Sequence, residues 1–325
     1  MIDQWGRSVD YLRISITDRC NLRCKYCMPK NSVRFMPKED LLTIDEIFRV
    51  AKLTSELGVK KIRITGGEPL VREGIIELIR DIKALENIEE VCMTTNGILL
   101  EENLERLISA GLDRVNISLD TLDETLFREI TGGGDIKPVL RAVERCVEKG
   151  LKVKLNTVLM KNYNEKEILE FIKLTERYPI DVRFIEMMPI GAGKAFRSVT
   201  TDQAIALISE EFQLLHCESG NNNDGPACYY KTEKGLGKIG FISPMSHSFC
   251  RSCNRIRLTA EGFLKQCLHW KKGKNLETLM RHGISDEDLI KVIEECIYLK
   301  PYEHGFLENS LSSSSDKRNM FQIGG

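Results

Sequence analysis

Short strand-like segments alternate with amphipathic helical segments along the first 190 residues. The strand pattern occurs at 11–17, 61–65, 90–95, 114–120, 152–158 and 181–186. Helical patterns lie between them: one from the capping box at Thr43 and Glu46 toward Leu57, then 74–85, 101–110, 137–149 and 164–177. Such alternation is typical of a parallel sheet. Six units are too few for a closed eight-stranded barrel, so the pattern predicts an incomplete (β/α)6 TIM-type barrel or a doubly wound sheet.

The pattern changes after residue 190. Helices are predicted over 201–211 and 286–299, and short strands with glycine-containing turns over 227–268, including a hairpin of 254–258 with 263–267. The polar, serine-rich stretch 309–319 is typical of a flexible linker. We therefore predict three regions: a partial barrel over 1–190, an α+β extension over 191–308, and a flexible tail over 309–325 that ends in Gly324-Gly325.

Polar side chains share one face of several predicted strands. Arg13, Ser15 and Thr17 alternate with apolar residues, as do the polar residues of the second, fourth and fifth strands. Because the apolar face must meet the helices, the polar face is predicted to line the interior. Its cations are Arg13, Lys61, Arg63, Lys154 and Arg183. Burying them together requires anions, which a polyphosphate would supply. The alternative is an antiparallel sheet with one solvated face, which the intervening helices disfavour.

Composition narrows the classes of function. The 325 residues are 42% hydrophobic, and 47 basic residues against 48 acidic ones give a net charge of −1, which argues against a general nucleic-acid binder. No apolar run is long enough to span a membrane, and the first residues lack the apolar segment of a signal peptide, so we expect a cytoplasmic protein. Disulfides are rare in that compartment, so the clustering of several of the 11 cysteines favours metal ligands or catalytic groups over disulfide bonds.

Three cysteines directly follow the first predicted strand. Cys20, Cys24 and Cys27 form a C-x3-C-x2-C triplet at the carboxyl end of that strand, where parallel folds place active sites. Three thiolates can ligate three irons of a [4Fe–4S] cluster and leave the fourth iron open to a substrate. The alternatives are zinc with a distant fourth ligand, or three thiols without a metal.

A second triplet consists of Cys250, Cys253 and Cys267. Arg255 and Arg257 follow it in a strand phase that points both side chains the same way. Spacing alone allows a Cys₃His zinc ribbon completed by a neighbouring histidine as readily as an iron–sulfur cluster. The two arginines favour an anion beside the triplet.

The first triplet resembles the signature of the radical S-adenosylmethionine (SAM) enzymes, with Tyr26 directly before the third cysteine. Gly66-Gly67-Glu68-Pro69, after the second predicted strand, resembles their Gly-Gly-Glu-Pro motif. The two glycines allow the backbone to approach a ligand closely.

Across the whole chain the sequence resembles the GTP 3′,8-cyclases, a radical SAM family that acts first in molybdenum cofactor biosynthesis. The resemblance rests on both triplets, on Arg255-Ile256-Arg257 and on the terminal Gly-Gly. It implies two [4Fe–4S] clusters, one on Cys20, Cys24 and Cys27 and one on Cys250, Cys253 and Cys267. The implied SAM contacts are Tyr26, Gly67, Ser118 and Met188. The implied GTP contacts are Arg13, Arg63, Thr94, Lys154, Arg255, Ile256 and Arg257, with Lys61 and Arg183 as further triphosphate contacts.

The resemblance also implies a reaction. In that family, which is classed among the lyases, a 5′-deoxyadenosyl radical from SAM removes the C3′ hydrogen of GTP. The resulting C3′ radical adds to C8 of the guanine. The product is a 3′,8-cyclised dihydroguanosine triphosphate. Arg255 and Arg257 act in catalysis, and the tail Gly324-Gly325 reaches into the active site. The implied partners are a flavodoxin or ferredoxin as electron donor and cyclic pyranopterin monophosphate synthase, with no nucleic acid and no membrane. Whether the chain is a homodimer or a monomer stays open.

Two other functions remain compatible with the motifs. A different radical SAM enzyme with an auxiliary cluster, such as a peptide maturase, would share the first triplet but should lack the inward cations. A zinc-ribbon protein that binds nucleotides without catalysis would share the second triplet.

Overall fold

The computed structural model describes residues 1–28, 33–217, 225–306 and 316–324. Twelve strands in this part of the chain form one sheet. They are β1 (Tyr11–Ser15), β2 (Lys61–Thr65), β3 (Glu90–Thr95), β4 (Arg114–Ser118), β5 (Lys152–Leu159), β6 (Asp181–Glu186), β7 (Leu215–His216), β8 (Cys228–Lys231), β9 (Ile239–Ile242), β10 (Arg255–Leu258), β11 (Phe263–Lys265) and β12 (Gly273–Asn275).

The six predicted strands β1 to β6 pair in chain order, and every pair is parallel. This confirms the incomplete β/α barrel and excludes the antiparallel alternative. The register places Arg13 beside Arg63, and Asn156 beside Arg183. The polar residues of neighbouring strands therefore share one face of the sheet, as the alternation predicted.

The C-terminal region extends this sheet at both edges. β10 pairs parallel with β1, and β9 pairs parallel with β6, so eight strands run in the same direction. The predicted hairpin is present as the antiparallel pair β10 and β11, which β12 continues. On the other side, β8 and β7 add antiparallel strands beyond β9. Sequence alternation did not predict that the C-terminal strands join the first sheet.

Ten helices cover the outside of the sheet or lie in the extension of the described chain. They are α1 (Ile44–Glu56), α2 (Ile75–Lys83), α3 (Leu100–Ser109), α4 (Glu124–Thr131), α5 (Lys137–Glu148), α6 (Ile168–Arg177), α7 (Thr201–Ser209), α8 (Leu276–Arg281), α9 (Asp286–Tyr298) and α10 (Met320–Ile323). The capping box of Thr43 and Glu46 begins α1, as predicted, and Ser285 caps α9. The helices α4, α8 and α10 were not predicted.

The hydrophobic core lies between the sheet and the helices. Leu12 and Ile14 of β1 and Ile62 and Ile64 of β2 are fully buried on the outer face of the sheet. Val50 and Leu53 of α1, among others, belong to the same apolar cluster. Apolar burial thus fixes the outer face, and the polar face is left to line the inside. Among the described residues, every helix is too short or too polar to cross a lipid bilayer.

The end of the chain packs back into the protein. Residues 309–315 of the predicted linker, and Gly325, lie outside the described residues. From residue 316 the chain is held in place, since Lys265, which is fully buried, forms an ion pair with Asp316. Arg318 pairs with Glu261 at 2.5 Å, and Phe321 and Ile323 of α10 are buried.

Candidate functional site

A cavity of about 320 Å³ occupies the inner face of the sheet. All six cysteines of the two triplets line it. Its wall includes one residue from each of the eight parallel strands: Arg13, Arg63, Thr94, Ser118, Asn156, Arg183, Ile242 and Arg255. Since strands from both edges of the parallel run face the same space, the sheet curves around it. The predicted polar interior is therefore a real cavity rather than a packed apolar core.

The two triplets lie at opposite ends of this cavity. Cys20, Cys24 and Cys27 follow the carboxyl end of β1. Cys250 and Cys253 precede the amino end of β10, which runs parallel to β1. Cys267 follows β11, which runs antiparallel to β10 and so returns to the same end. The sheet thereby holds two groups of thiols on either side of one binding space.

The Gly-Gly turn fits closely against the first cysteine loop. The backbone N–H of Gly67 donates to the carbonyl of Thr17 at 2.7 Å, and that of Glu68 donates to the carbonyl of Arg19 at 2.8 Å. A β-carbon at Gly67 would lie 2.3 Å from the Arg19 carbonyl oxygen, which is far inside van der Waals contact. Only glycine allows the end of β2 to run this close to the segment that leads into Cys20.

We expect Gly67→Ala to destabilise the protein by about 3 kcal/mol, because the backbone before Cys20 must move to admit the methyl group. SAM binding should be lost with it. Thermal unfolding and SAM binding by calorimetry measure the two effects. Gly283→Ala is the matched control: Gly283 has a φ of +80° and no atom within 4 Å of the added carbon. It should lose only about 1 kcal/mol from backbone strain and keep SAM binding. Equal losses in both variants would contradict the explanation.

Further residues of the predicted SAM site meet at the first triplet. Tyr26 donates a hydrogen bond of 2.6 Å to Asp120. Burial raises the pKa of Asp120 to about 6, although this hydrogen bond acts to lower it. Ser118 and Met188 line the cavity with Tyr26 and Gly67. The structure therefore brings together all four residues for which SAM contacts were predicted.

Burial disfavours the thiolate forms of the first triplet. Burial and the charge of Cys20 raise the pKa of Cys27 to about 12, and burial likewise raises the pKa of Cys24 and of Cys20. A metal must therefore displace protons to bind here. The second triplet differs. Burial alone would raise the pKa of Cys253, but Lys300 and Arg255 outweigh it and lower this pKa to about 6. Cys253 is thus a thiolate near neutral pH.

Each triplet offers three free thiols to the cavity. Three thiolates can ligate three irons of a [4Fe–4S] cluster and leave the fourth iron open. The chemistry of the donors at each end of the cavity therefore fits such a cluster.

Three side chains of the inner face, two arginines and one threonine, have polar atoms that no described residue satisfies. These atoms are Nε of Arg63, Nη2 of Arg183 and the hydroxyl oxygen of Thr94. Burial first, and then the neighbouring arginines, lower the pKa of Arg183. Buried donors of this kind are costly unless a ligand accepts their hydrogen bonds. The cavity therefore suits an anion with many oxygens.

Two of the predicted cations have carboxylate partners in the protein itself. Lys61 pairs with Glu90, which Arg114 also contacts at 2.9 Å. Lys154 contacts Asp181 at 3.0 Å and the hydroxyl of Tyr229 at 2.9 Å, and it is not among the residues that line the cavity. The expectation that only a ligand could neutralise these lysines missed Glu90 and Asp181, which begin β3 and β6. Their roles as triphosphate contacts stay predictions.

The Arg-x-Arg segment and the tail meet inside the cavity. Nη1 of Arg257 donates to the carbonyl oxygen of Gly324 at 2.6 Å. A β-carbon on Gly324, whose φ is +81°, would lie 2.9 Å from a methyl carbon of Thr65. Burial and the charge of Arg255 lower the pKa of Arg257 to about 10. The side chain of Ile256 belongs to the apolar core on the outer face, so any substrate contact of Ile256 would use its main chain.

Sequence reasoning missed several residues that touch the triplets. Asn96 donates to Asn21 at 2.7 Å and lies 3.7 Å from the sulfur of Cys20. Its place directly after β3, at the carboxyl end of the sheet, was the available signal. Phe249 stacks on Arg255, with 4.9 Å between the guanidinium carbon and the ring centre. Arg7 and Lys300 contact the second triplet from distant parts of the chain, and no local pattern indicated them.

Comparison with known proteins identifies the family. The Radical SAM superfamily model matches residues 14–175, and the Molybdenum Cofactor Synthesis C model matches residues 180–306. GTP 3′,8-cyclase of Clostridium perfringens strain SM101 is 52% identical over 325 residues, which is 100% of both chains. The chain belongs to the GTP 3′,8-cyclase family. Members from Clostridium botulinum strain Hall and Syntrophomonas wolfei are 46% and 43% identical over 100% of both chains.

A solved structure shares the fold of this family member. Streptococcus suis SuiB bound to S-adenosylmethionine matches with a TM-score of 0.63 at 16% identity, over 93% of this chain and 68% of that one. The unbound SuiB structure matches with a TM-score of 0.60 at 17% identity, over 92% and 67%. These matches show the radical SAM fold of the described sheet.

Proposed function

We propose that the protein converts GTP to (8S)-3′,8-cyclo-7,8-dihydroguanosine 5′-triphosphate, the first step of molybdenum cofactor biosynthesis. The observation that carries this proposal is one cavity with a cysteine triplet at each end and buried arginines on the wall between them. One triplet suits SAM cleavage and the other suits substrate binding. Family membership at up to 52% identity over the full length supports the same conclusion.

We assign the first cluster to Cys20, Cys24 and Cys27 and the second to Cys250, Cys253 and Cys267. Held there, the first cluster would supply the electron for cleavage of SAM, and SAM would supply the radical chemistry for removal of hydrogen from C3′ of GTP. Gly67 lines the cavity beside the first triplet, and we assign it to the binding of SAM there. Tyr26, held by Asp120, and Ser118 complete this end of the site.

The inward cations orient the triphosphate. Arg63 and Arg183 have unsatisfied N–H groups that face the cavity, and guanidinium groups match phosphate oxygens in both charge and geometry. Arg13 lies beside Arg63 in the register and also lines the cavity. Arg257 lies on the other side of Arg13 in the register, and Arg255 lies nearer to Cys253 of the second triplet. We assign these neighbouring guanidinium groups to holding GTP so that C3′ and C8 are in position for ring closure.

The tail closes the cavity from the side. Phe321 and Met320 line it, and the backbone N–H of Phe321 faces the thiol of Cys27. The carbonyl of Gly324 holds the guanidinium of Arg257 in place. We assign the tail to orienting Arg257 and to excluding water from reactive intermediates. Gly325 is assigned to the same role by the family resemblance.

Anaerobic purification followed by single-turnover assays tests this function. We expect about eight irons per chain with matching sulfide, and 5′-deoxyadenosine formation with SAM and dithionite that GTP increases more than ATP does. A colourless zinc protein would contradict the enzyme assignment. Iron-loaded protein that GTP does not stimulate over ATP would contradict the substrate and favour a different radical SAM enzyme, such as a peptide maturase.

Substitution of Arg255 or Arg257 is expected to separate substrate binding from SAM cleavage. We expect Arg255→Ala and Arg257→Ala each to weaken GTP binding about tenfold or more, because each removes a charged hydrogen-bond donor. SAM cleavage without GTP should persist, since neither residue lies at the first triplet. Equilibrium binding of GTP and 5′-deoxyadenosine release measure the two effects. Loss of iron from both variants would instead indicate a structural role.

The partners remain part of this proposal. The reaction needs a one-electron donor, which we assign to a flavodoxin or ferredoxin, and its product requires a second enzyme, which we assign to cyclic pyranopterin monophosphate synthase. A cytoplasmic location and the oligomeric state, homodimer or monomer, stay predictions.

A further inference from the structure

A buried lysine joins the two chain segments that carry the second triplet. Lys300 follows α9, and only 2% of it is exposed. Its ammonium donates to the carbonyl oxygens of Arg255 at 2.7 Å and Gln266 at 2.9 Å, and it lies 3.9 Å from the sulfur of Cys253. An ammonium has three hydrogen-bond donors. Each donor here has one acceptor, and all three acceptors belong to the second triplet or its neighbours in sequence.

The acceptors lie on both sides of the hairpin. Arg255 comes two residues after Cys253, and Gln266 directly precedes Cys267. The ladder between β10 and β11 stops at the pair Arg257 and Lys265, so it does not reach the cysteines. Beyond that pair, Lys300 links the two segments through its hydrogen bonds to Arg255 and Gln266. One side chain thereby fixes the distance between the segment that contains Cys253 and the segment that contains Cys267.

A second buried cation fixes the remaining cysteine and the segment that follows Lys300. Arg7 donates through Nη1 to the carbonyl oxygens of Cys250 at 2.7 Å and Tyr302 at 2.8 Å, and through Nη2 to that of Pro301 at 2.7 Å. Its Nε contacts Asp3 at 2.6 Å, which neutralises its charge. The charge of Lys300 has no such carboxylate among its contacts in the described chain. Of Arg7 and Lys300, Lys300 is therefore the cation whose charge acts on Cys253.

The hydrogen bonds to the two carbonyls of the hairpin do not by themselves explain why the donor is a charged ammonium. A buried charge without an anion is costly, and a neutral amide could satisfy two carbonyls at lower cost. The charge is accounted for if its counterion is the thiolate of Cys253, which becomes part of a negatively charged cluster when metal is bound. Hydrogen bonds to ligand sulfurs and nearby charges set the potentials of such clusters.

We propose that Lys300 is a positioning residue for the auxiliary cluster: it holds Cys253 and Cys267 in their ligating arrangement and raises the cluster's reduction potential through its charge. This inference rests on the proposed function, in which Cys250, Cys253 and Cys267 hold a cluster. Arg7 supports it by fixing residues 301–302 and the carbonyl of Cys250. A cation beside the sulfur stabilises the reduced, more negative form of the cluster, which is why its removal should lower the potential.

The test uses the full chain with Cys20→Ala, Cys24→Ala and Cys27→Ala, so that all iron reports on the second triplet. Lys300→Met, Lys300→Gln and Lys300→Arg are compared in this parent. Lys274→Met is the matched control, because Lys274 pairs with Glu295 at 2.9 Å on a half-exposed surface and its loss changes the net charge equally. Iron and sulfide per chain, the rate of iron release to a chelator, and the midpoint potential by EPR-monitored titration are measured, with circular dichroism to follow folding.

We expect the parent, Lys300→Arg and Lys274→Met to hold about four irons at similar potentials. Lys300→Met and Lys300→Gln should release iron about tenfold faster, and Lys300→Gln should show a lower midpoint potential, because the amide keeps hydrogen bonds but not the charge. If Lys300→Met fails to fold, the Gln and Arg variants decide. A Lys300→Gln variant with the parent's iron release and potential overturns the inference. A parent that binds no iron overturns instead the proposed second cluster.

Discussion

Replacing Cys24 by alanine is expected to abolish SAM cleavage completely. Cys24 is the middle ligand of the first triplet, and a cluster left with two protein ligands cannot keep one open iron for SAM. Iron per chain should fall from about eight to about four, because the second triplet at the other end of the cavity is untouched. Iron analysis and 5′-deoxyadenosine formation with dithionite measure the two effects, and the GTP reaction should fall to background.

Cys228→Ala is the control for this variant. Cys228 is an exposed cysteine on β8, and it does not line the cavity. This substitution should leave both the iron content and the activity unchanged. If Cys24→Ala kept its 5′-deoxyadenosine formation, the assignment of the first triplet to SAM cleavage would be wrong.

Arg183→Met is expected to change stability and substrate binding in opposite directions. Arg183 is 3% exposed, its Nη2 lacks a hydrogen-bond partner among the described residues, and burial followed by the charges of Arg63 and Arg114 lowers its pKa. Removing it should stabilise the ligand-free protein by about 1 kcal/mol, because relief of the buried charge outweighs the loss of its 2.9 Å hydrogen bond from Nε to Asn156. GTP affinity should fall about 10- to 100-fold, because a charged donor to phosphate is lost. Thermal unfolding without nucleotide and calorimetric GTP binding provide the two measurements.

Arg106→Met serves as the comparison. Arg106 lies on α3 with its side chain 63% exposed, in a loose contact of 3.9 Å with Glu77. Its loss should change stability by less than about 0.5 kcal/mol and leave GTP binding intact. A destabilised Arg183→Met variant with normal GTP affinity would show that the guanidinium serves the fold rather than the ligand.

The barrel strands were predictable because the period-two pattern of the strands and the helical pattern between them both indicated the same fold. Apolar residues alternate with polar ones in β1, β2, β4 and β5, and amphipathic helices separate these strands. That combination fixes both the parallel direction and the face that turns inward. Arg13, Arg63 and Arg183 therefore lie where the pattern placed them, on the cavity wall. The end of β1 at Ser15 rather than residue 17 is a difference in hydrogen bonding at a strand end, where such bounds are least certain.

The interactions that could not be predicted are those between distant parts of the chain. Nothing near Lys61 in sequence indicates that Glu90 neutralises it, since strand register brings the two together. The same holds for Lys300 and Cys253, which are 47 positions apart. The parallel pairing of β10 with β1 joins residues more than 240 positions apart, and a local pattern carries no information on it.

The placement of β9 and β10 has a consequence for how the chain can be divided. They cover the outer edges of β6 and β1, although they come from the region that matches the second family model. A fragment cut near residue 190 would expose two rows of unpaired backbone amides and carbonyls, which invite intermolecular strand addition. The two homology regions are therefore one folding unit, whose N-terminal part cannot be expected to stand as a soluble, autonomous piece.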